Sequence, residues 1–178
     1  IGVQALEVVA ANPDRFRVVG LSAGGKNLVL LAEQARRFRV PIVGTTGDGK
    51  RLRELLSGAE VIDGENSSKQ IASLPCEIVL NGITGSIGLG PTLAALEVGN
   101  TVALANKESL VAGGDLVMKY GRDRIIPVDS EHSALFQALG SGRINDVSRF
   151  ILTASGGPFR ERRDLSSVTV ADALAHPT

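Results

Sequence analysis

Two carboxylates separated by one residue form the most chemically suggestive pattern in the sequence. Asp129 and Glu131 flank Ser130 and follow the apolar run Ile125–Pro127. Neighbouring anions repel unless a cation neutralises them, and carboxylate oxygens are ligands that Mg²⁺ and Mn²⁺ prefer. Two carboxylates do not complete an octahedral site, so a metal here needs a further ligand from elsewhere. The alternative is a helix start, with Asp129 or Ser130 as the cap and Glu131 in the first turn, and spacing alone favours it.

A second pattern, Gly24-Gly25-Lys26-Asn27, has the composition of a nucleotide-binding turn. Two glycines let a backbone approach a ligand closely, and Lys26 and Asn27 supply hydrogen-bond donors where a helix is expected to begin. Folds that bind NAD usually carry Asp or Glu at this position, whereas a lysine suits the 2′-phosphate of NADP. The alternative is a glycine turn followed by an asparagine cap, and spacing does not separate the two interpretations.

Three further polar segments each follow an apolar run. Residues 81–88, NGITGSIG, resemble a nucleotide loop with the spacing G-x-x-G-x-x-G, which predicts contact with a cofactor without a grip on its pyrophosphate. In the segment ANKES, Lys107 can hold a substrate oxygen or phosphate, unless the segment is only a helix start capped by Asn106 or Ser109. Ser155 precedes two glycines, so its hydroxyl can help to cradle an anion, or the segment is simply a strand that ends in a turn.

Strand and helix patterns alternate along the chain, which predicts an α/β fold with a doubly wound, mostly parallel sheet and helices on both faces. In such sheets ligands bind at the carboxyl ends of the strands, which is where the polar segments stand. The predicted strands span residues 16–23, 40–43, 61–62, 77–81, 101–105, 125–128 and 150–154. The predicted helices span residues 1–11, 26–38, 49–56, 92–98, 109–120 and 131–139.

The composition excludes several classes of protein. The 178 residues carry 19 Lys plus Arg and 19 Asp plus Glu, and this neutral balance gives no long-range attraction to nucleic acid or anionic membranes. No apolar run reaches the ~18 residues of a membrane helix. The single cysteine, Cys76, cannot form an internal disulfide, and its place at the start of an apolar run favours a small buried side chain over a nucleophile.

Three segments in the order NKESLVAGG, PVDSEHSALFQ and LTASGGPFR resemble the 1-deoxy-D-xylulose 5-phosphate reductoisomerase family, and the similarity extends over essentially the whole chain. The resemblance implies isomerisation of 1-deoxy-D-xylulose 5-phosphate and its reduction to 2-C-methyl-D-erythritol 4-phosphate in the non-mevalonate isoprenoid pathway. It implies NADPH and Mg²⁺ or Mn²⁺ as cofactors. It also implies a Rossmann-like NADPH-binding domain at residues 1–128 and the beginning of an α+β catalytic domain at residues 129–178.

The resemblance also assigns individual residues. The metal ligands are Asp129 and Glu131, and the substrate contacts are Lys107, Ser130, Glu131, Ser155 and His176. The cofactor contacts are Ile1, Gly25, Lys26, Asn27, Asn106 and Glu108. Some relatives have one glycine where this chain has two, so the resemblance leaves open whether Gly24 or Gly25 makes the close approach.

The resemblance further implies a sugar-phosphate substrate, a homodimer when full length, and a bacterial cytoplasm, with a plastid as the alternative. Because the chain opens directly on a helix, we expect a first strand and most of a phosphate-binding loop to precede Ile1. We expect the 178 residues alone to be inactive and to bind NADPH weakly. Two alternatives are an NADP-dependent dehydrogenase of another metabolite, which would survive chelation, and a non-catalytic nucleotide-binding module, which would bind no sugar phosphate.

Overall fold

A computed structural model describes residues 1–153 and 159–175. These residues divide into two compact units, one from Ile1 to Asp129 and one from Ser130 onwards. The strands are β1 (Gly20–Ala23), β2 (Ile42–Thr45), β3 (Glu60–Asp63), β4 (Ile78–Asn81), β5 (Thr101–Leu104) and β6 (Ile125–Pro127). The helices are α1 (Gly2–Ala11), α2 (Leu28–Arg37), α3 (Gly49–Leu55), α4 (Ser67–Ala72), α5 (Leu89–Glu97), α6 (Glu108–Met118), α7 (Ser130–Gly140) and α8 (Val170–Leu174).

All six strands lie in the first unit and form two parallel three-stranded sheets. Strands β1, β2 and β3 pair in that order, with Gly20 opposite Ile42 and Ile42 opposite Glu60. Strands β4, β5 and β6 pair in the same manner, with Ile78 opposite Thr101. Parallel neighbours require crossover connections, and the intervening helices supply them. The predicted α/β class with parallel strands and flanking helices is therefore confirmed, although the strands form two three-stranded sheets where the sequence pattern predicts a single sheet.

The β1–β3 sheet carries helices on both faces because successive side chains alternate between them. The row Leu21, Val43 and Val61 packs with α2 and α3 in one hydrophobic core. On the other face, Cβ atoms built on Gly20 and Gly44 would lie 3.1 and 2.6 Å from side-chain carbons of Ile71 in α4. These glycines let α4 approach the sheet closely.

The β4–β6 sheet has a second core on one face. Buried side chains of β5, α5 and α6 meet there, and Val79 and Ile125 pack against them. The register places Leu80, Ala103 and Ile126 in one row on the opposite face. In that row Leu80 and Ile126 are exposed, so this face is more open than the one that carries the core.

The second unit has a different character. Its described residues form α7 and α8 with turns between them, and none of them is buried. Helix α8 begins with a capping box, in which Thr169 and Asp172 exchange side-chain and backbone hydrogen bonds. The assignment of residues 129–178 to the beginning of a catalytic domain remains a prediction.

Two sequence expectations about local structure are wrong. Residues 150–153 are not a strand, and Phe150, Ile151 and Leu152 are exposed. A strand needs a neighbour for its backbone hydrogen bonds, and none of the described strands pairs with these residues. Cys76 is only partly buried.

Within the described parts of the chain, no helix is long and apolar enough to cross a membrane.

Candidate functional site

The loop after β1 and the first two turns of α2 line an open cavity of about 270 Å³ at the carboxyl end of the strand. The side chain of Asn27 caps α2, because its Oδ1 accepts a hydrogen bond from the Leu30 amide at 3.0 Å. The asparagine-cap interpretation is therefore confirmed. Lys26 is exposed and precedes the same helix. The cavity is lined by Ala23, Gly24, Gly25, Lys26, Asn27, Leu30, Leu31 and Gln34.

The electrostatics of this cavity favour an anion. The first amides of a helix point outward and carry partial positive charge, to which Lys26 adds a full charge. No acidic residue lines the cavity. A phosphate group is the kind of ligand that such a helix start can bind.

Of the two adjacent glycines, Gly25 is the one that packs closely against a neighbouring backbone, and which of the two approaches the cofactor remains a prediction. Its φ is +82°, and a Cβ built on it would lie 2.6 Å from the Cα of Gly47 in the loop after β2. A Cβ built on Gly24 would meet only the Thr46 hydroxyl oxygen, at 3.9 Å. The backbone of the glycine turn therefore packs against the backbone of the loop after β2, and the absence of a side chain at Gly25 permits this contact.

Sequence reasoning missed the support beneath this turn. Gly47 lies against Gly25, and its amide donates to the hydroxyl of the fully buried Thr45 at 3.0 Å. The available signal was a Thr-Thr-Gly sequence at the end of a strand, at the edge where ligands bind. Two consecutive strand ends thus hold the residues around the cavity.

Four buried polar side chains form a second feature, at the carboxyl ends of β4 and β5. The side-chain amide of Asn81 donates to the Gly88 carbonyl and to the Thr92 hydroxyl, both at 2.8 Å. The Thr92 hydroxyl donates to the same Gly88 carbonyl at 3.0 Å. The carboxamide oxygen of Asn106 accepts from the Ser109 backbone amide at 2.8 Å and from the Ser109 hydroxyl at 2.5 Å. We call these four side chains, of Asn81, Thr92, Asn106 and Ser109, the polar clasp.

The polar clasp holds the loop 82–88. The carboxamide nitrogen of Asn106 donates to the carbonyls of Ile83 and Gly85, the latter at 2.8 Å. The carboxamide oxygen of Asn81 accepts from the Ile83 amide at 3.0 Å. The Asn106 side chain therefore ties the loop and accepts from an amide in the first turn of α6. Asn106 lies one residue before Lys107, the N-cap residue of α6, so it makes a cap-like bond from one position outside the cap. The prediction that Asn106 contacts a cofactor is not tested by these bonds.

Several predicted cofactor and substrate residues surround the clasp. Lys107 follows Asn106 directly and is exposed, and Glu108 begins α6. A Cβ built on Gly82 would lie 3.2 Å from a side-chain carbon of Ile1, so the chain start touches the loop 82–88. The structure thus brings Ile1 next to the loop that Asn106 holds.

The boundary between the two units falls within the acidic pair along the chain, because Asp129 ends the first unit and Glu131 belongs to the second. Asp129 directly precedes α7, and Glu131 lies in the first turn of that helix, as the helix-start interpretation predicts. The Ser130 hydroxyl donates to the Glu131 carboxylate at 2.8 Å. Among residues 1–153 and 159–175, no group of three metal-ligating side chains comes together. Ser155 and His176 lie outside the described residues.

Comparison with known proteins connects these features to one family. The family model described as 1-deoxy-D-xylulose 5-phosphate reductoisomerase matches residues 1–114, and the model of that enzyme's C-terminal domain matches residues 125–178. Reductoisomerases from Leifsonia xyli and Streptomyces coelicolor are 58% and 53% identical to the whole chain. The chain covers 45% and 46% of their lengths, so it spans about half of the relatives that it matches.

Solved structures agree with the sequence comparison. The reductoisomerase of Zymomonas mobilis in complex with NADPH superposes with a TM-score of 0.80 at 38% identity, covering 90% of this chain and 44% of that one. A reductoisomerase in complex with NADPH, fosmidomycin and magnesium gives a TM-score of 0.77 at 30% identity, covering 99% of this chain and 48% of that one. The chain belongs to the 1-deoxy-D-xylulose 5-phosphate reductoisomerase family.

Proposed function

We propose that this chain supplies the NADPH-binding part and the first metal carboxylates of an enzyme that converts 1-deoxy-D-xylulose 5-phosphate to 2-C-methyl-D-erythritol 4-phosphate. The observation that carries the proposal is the match of both family models along the chain. The proposal concerns the activity of the whole protein, because the relatives are about twice as long as this chain.

At the adenosine end of the cofactor, Lys26 and the first amides of α2 bind the 2′-phosphate of NADPH. The cavity after β1 supports this role, because it combines a helix start with a lysine and lacks acidic lining residues. Gly25 lets the backbone of this turn pack closely, and Asn27 fixes the start of the helix. NADPH, when bound, supplies a hydride to the substrate.

At the reacting end, Asp129 and Glu131 supply hard oxygen ligands that fit Mg²⁺ or Mn²⁺. A divalent cation bound by them supplies Lewis-acid stabilisation for substrate oxygens that gain negative charge. The Ser130 hydroxyl, which donates to Glu131, orients that carboxylate and is a substrate contact. The sequence resemblance supports substrate contacts for Lys107, as a cation near the reacting oxygens, and for Ser155 and His176.

The cellular setting and assembly are also proposals. The matching relatives include enzymes of Streptomyces and Leifsonia species, which supports a bacterial protein that works in the cytoplasm. We propose a homodimer for the full-length enzyme. Sedimentation of the full-length protein as a monomer at assay concentrations would exclude the dimer.

The cofactor assignment is tested by changing Lys26 to alanine in the full-length enzyme. A hydrogen bond to a charged phosphate contributes about 1.5–3 kcal/mol, so the KM for NADPH should rise on the order of 10- to 100-fold. The KM for NADH, which has no 2′-phosphate, should change little. Lys119→Ala is a matched control, because Lys119 is an exposed lysine at the far end of α6. Equal effects on both nucleotides would refute the role of Lys26.

A further inference from the structure

The polar clasp is almost completely buried, although its four side chains are polar. Thr92 and Ser109 are fully buried, and Asn81 and Asn106 are only 3% and 2% exposed. A buried polar group costs free energy unless it is hydrogen-bonded, and all four of these side chains are bonded. Apolar side chains of similar size can give comparable stability, so the bonding specifies a conformation rather than adding bulk stability.

The conformation that the clasp specifies is that of the loop 82–88. Three of its carbonyls, those of Ile83, Gly85 and Gly88, accept hydrogen bonds from clasp residues. Its Ile83 amide donates to Asn81. Gly85 has φ +82°, a backbone geometry that a side chain would strain. A loop of seven residues is thus fixed at four backbone groups by two asparagines and a threonine.

The clasp also fixes what lies on either side of the loop. On one side Gly82 contacts Ile1, and on the other Asn106 is followed by Lys107. The Asn106 oxygen accepts the Ser109 amide, so a single side chain sets both the loop and the first turn of α6. A shift of Asn106 would therefore move the loop and Lys107 together.

We propose that Asn81 and Thr92 are positioning residues for the reacting end of the cofactor site. Asn81 and Thr92 hold the loop 82–88 directly, at its Ile83 amide and its Gly88 carbonyl. The loop is in turn bonded by Asn106, so this arrangement also sets the Lys107 turn as the nicotinamide half of NADPH and the substrate require it. This inference rests on the proposed function. On this inference the Asn106 side chain bonds to the loop and not to the cofactor, so Asn106 contributes to cofactor binding indirectly.

Another buried asparagine provides a matched control. Asn100 is 4% exposed and donates to the carbonyls of Ala72 and Leu74, at 3.1 and 2.9 Å. Its Oδ1 accepts from the Cys76 amide at 3.3 Å. Asn100 precedes β5, so it lies at the amino end of the sheet, whereas Asn81 ends β4 at the carboxyl end. Both residues are buried asparagines, but only Asn81 lies at the end of the sheet where we propose that NADPH and the substrate bind.

The experiment compares Asn81→Ala with Asn100→Ala in the full-length enzyme. The readouts are the affinities for NADPH and for 2′,5′-ADP, which occupies only the adenosine end, together with kcat. Both variants should lose thermal stability. Only Asn81→Ala should weaken NADPH binding or lower kcat, on the order of tenfold or more, while 2′,5′-ADP affinity stays within about twofold of the parent.

A second pair of variants covers the case in which Asn81→Ala does not fold. Thr92→Val removes the hydroxyl but keeps the shape, and Thr92→Ser restores the hydroxyl. We expect the valine variant to lose NADPH affinity or kcat and the serine variant to recover most of it. The inference is overturned if Thr92→Val and Asn81→Ala behave like Asn100→Ala, or if 2′,5′-ADP affinity falls in parallel with NADPH affinity. A parent protein that binds NADPH but does not turn over the sugar phosphate would refute the proposed function alone, because the affinity comparison still tests the clasp.

Discussion

Replacing Gly25 with alanine should damage both the fold and the cofactor site, whereas the same change at Gly24 should leave the free energy of unfolding nearly unchanged. The two residues are adjacent and belong to the same loop, so the comparison isolates backbone geometry. Gly25 has φ +82° and packs against Gly47, whereas Gly24 has only a distant neighbour. An alanine at position 25 meets strain and a clash, and one at position 24 meets neither.

The magnitude follows from these two costs. A left-handed backbone costs an L-residue about 1–2 kcal/mol. The new Cβ would lie 2.6 Å from the Gly47 Cα, and such overpacking against backbone typically costs about 1–3 kcal/mol. The expected loss for Gly25→Ala is therefore about 2–5 kcal/mol, partly relieved by movement of the loop. For Gly24→Ala it is within about 0.5 kcal/mol, as at ordinary surface positions.

Two assays on the full-length enzyme measure these effects. Urea unfolding followed by far-UV circular dichroism gives the difference in stability, and titration with NADPH gives the change in affinity. Relief of the clash moves the turn that carries Lys26, so Gly25→Ala should bind NADPH at least about tenfold more weakly. Equal stability and equal NADPH affinity for the two variants would refute the assignment of the close approach to Gly25.

Three further predictions concern the first unit. Gly49→Ala should destabilise the protein by about 1–3 kcal/mol in chemical unfolding, despite the better helix propensity of alanine, because the new Cβ would overlap the Asp63 side chain. A gain in stability would contradict this packing. The Arg53 guanidinium, 2.5 Å from the Asp63 carboxylate, lowers the pKa of that carboxyl. The contribution of this ion pair to the free energy of unfolding is complete above the ordinary carboxyl pKa and disappears as pH falls through the lowered pKa. Asp63→Asn should therefore flatten this part of the acid unfolding profile. An unchanged profile would exclude a stabilising role for the pair. Burial raises the pKa of the Cys76 thiol, so iodoacetamide should alkylate it more slowly at neutral pH than a free cysteine in a peptide, and faster alkylation would indicate an activated thiol.

The sequence was sufficient to predict the elements that repeat a strong local pattern. Alternating apolar strands and amphipathic helices predicted the parallel sheets, and α3 (Gly49–Leu55) and β5 (Thr101–Leu104) differ from the predicted ranges by one residue at their ends. Strand β1 begins only at Gly20, although the apolar pattern begins at residue 16, because pairing starts where β2 offers Ile42. Strand length is set by the neighbour, which the local sequence does not reveal.

The same distinction applies to the candidate site. Residues placed by a strand end, such as Lys26 and Lys107, could be located from the sequence because ligand loops follow parallel strands. The contact of Gly25 with Gly47 joins residues 22 positions apart, and the bond from Asn106 to Gly85 joins residues 21 positions apart. Such contacts depend on how neighbouring strands are placed, so local residue types could not predict them.

The central claim is that Asp129 and Glu131 hold a catalytic divalent cation, and the most direct measurement is Mn²⁺ binding by electron paramagnetic resonance, with turnover measured in parallel. In the full-length enzyme, Asp129→Asn should weaken Mn²⁺ binding on the order of 10- to 100-fold and lower kcat by a similar or larger factor. NADPH affinity should be retained. Asp123→Asn, a change at an exposed carboxylate shortly before the pair, should alter neither quantity. Parent-like Mn²⁺ affinity and turnover in the Asp129→Asn enzyme would contradict the account.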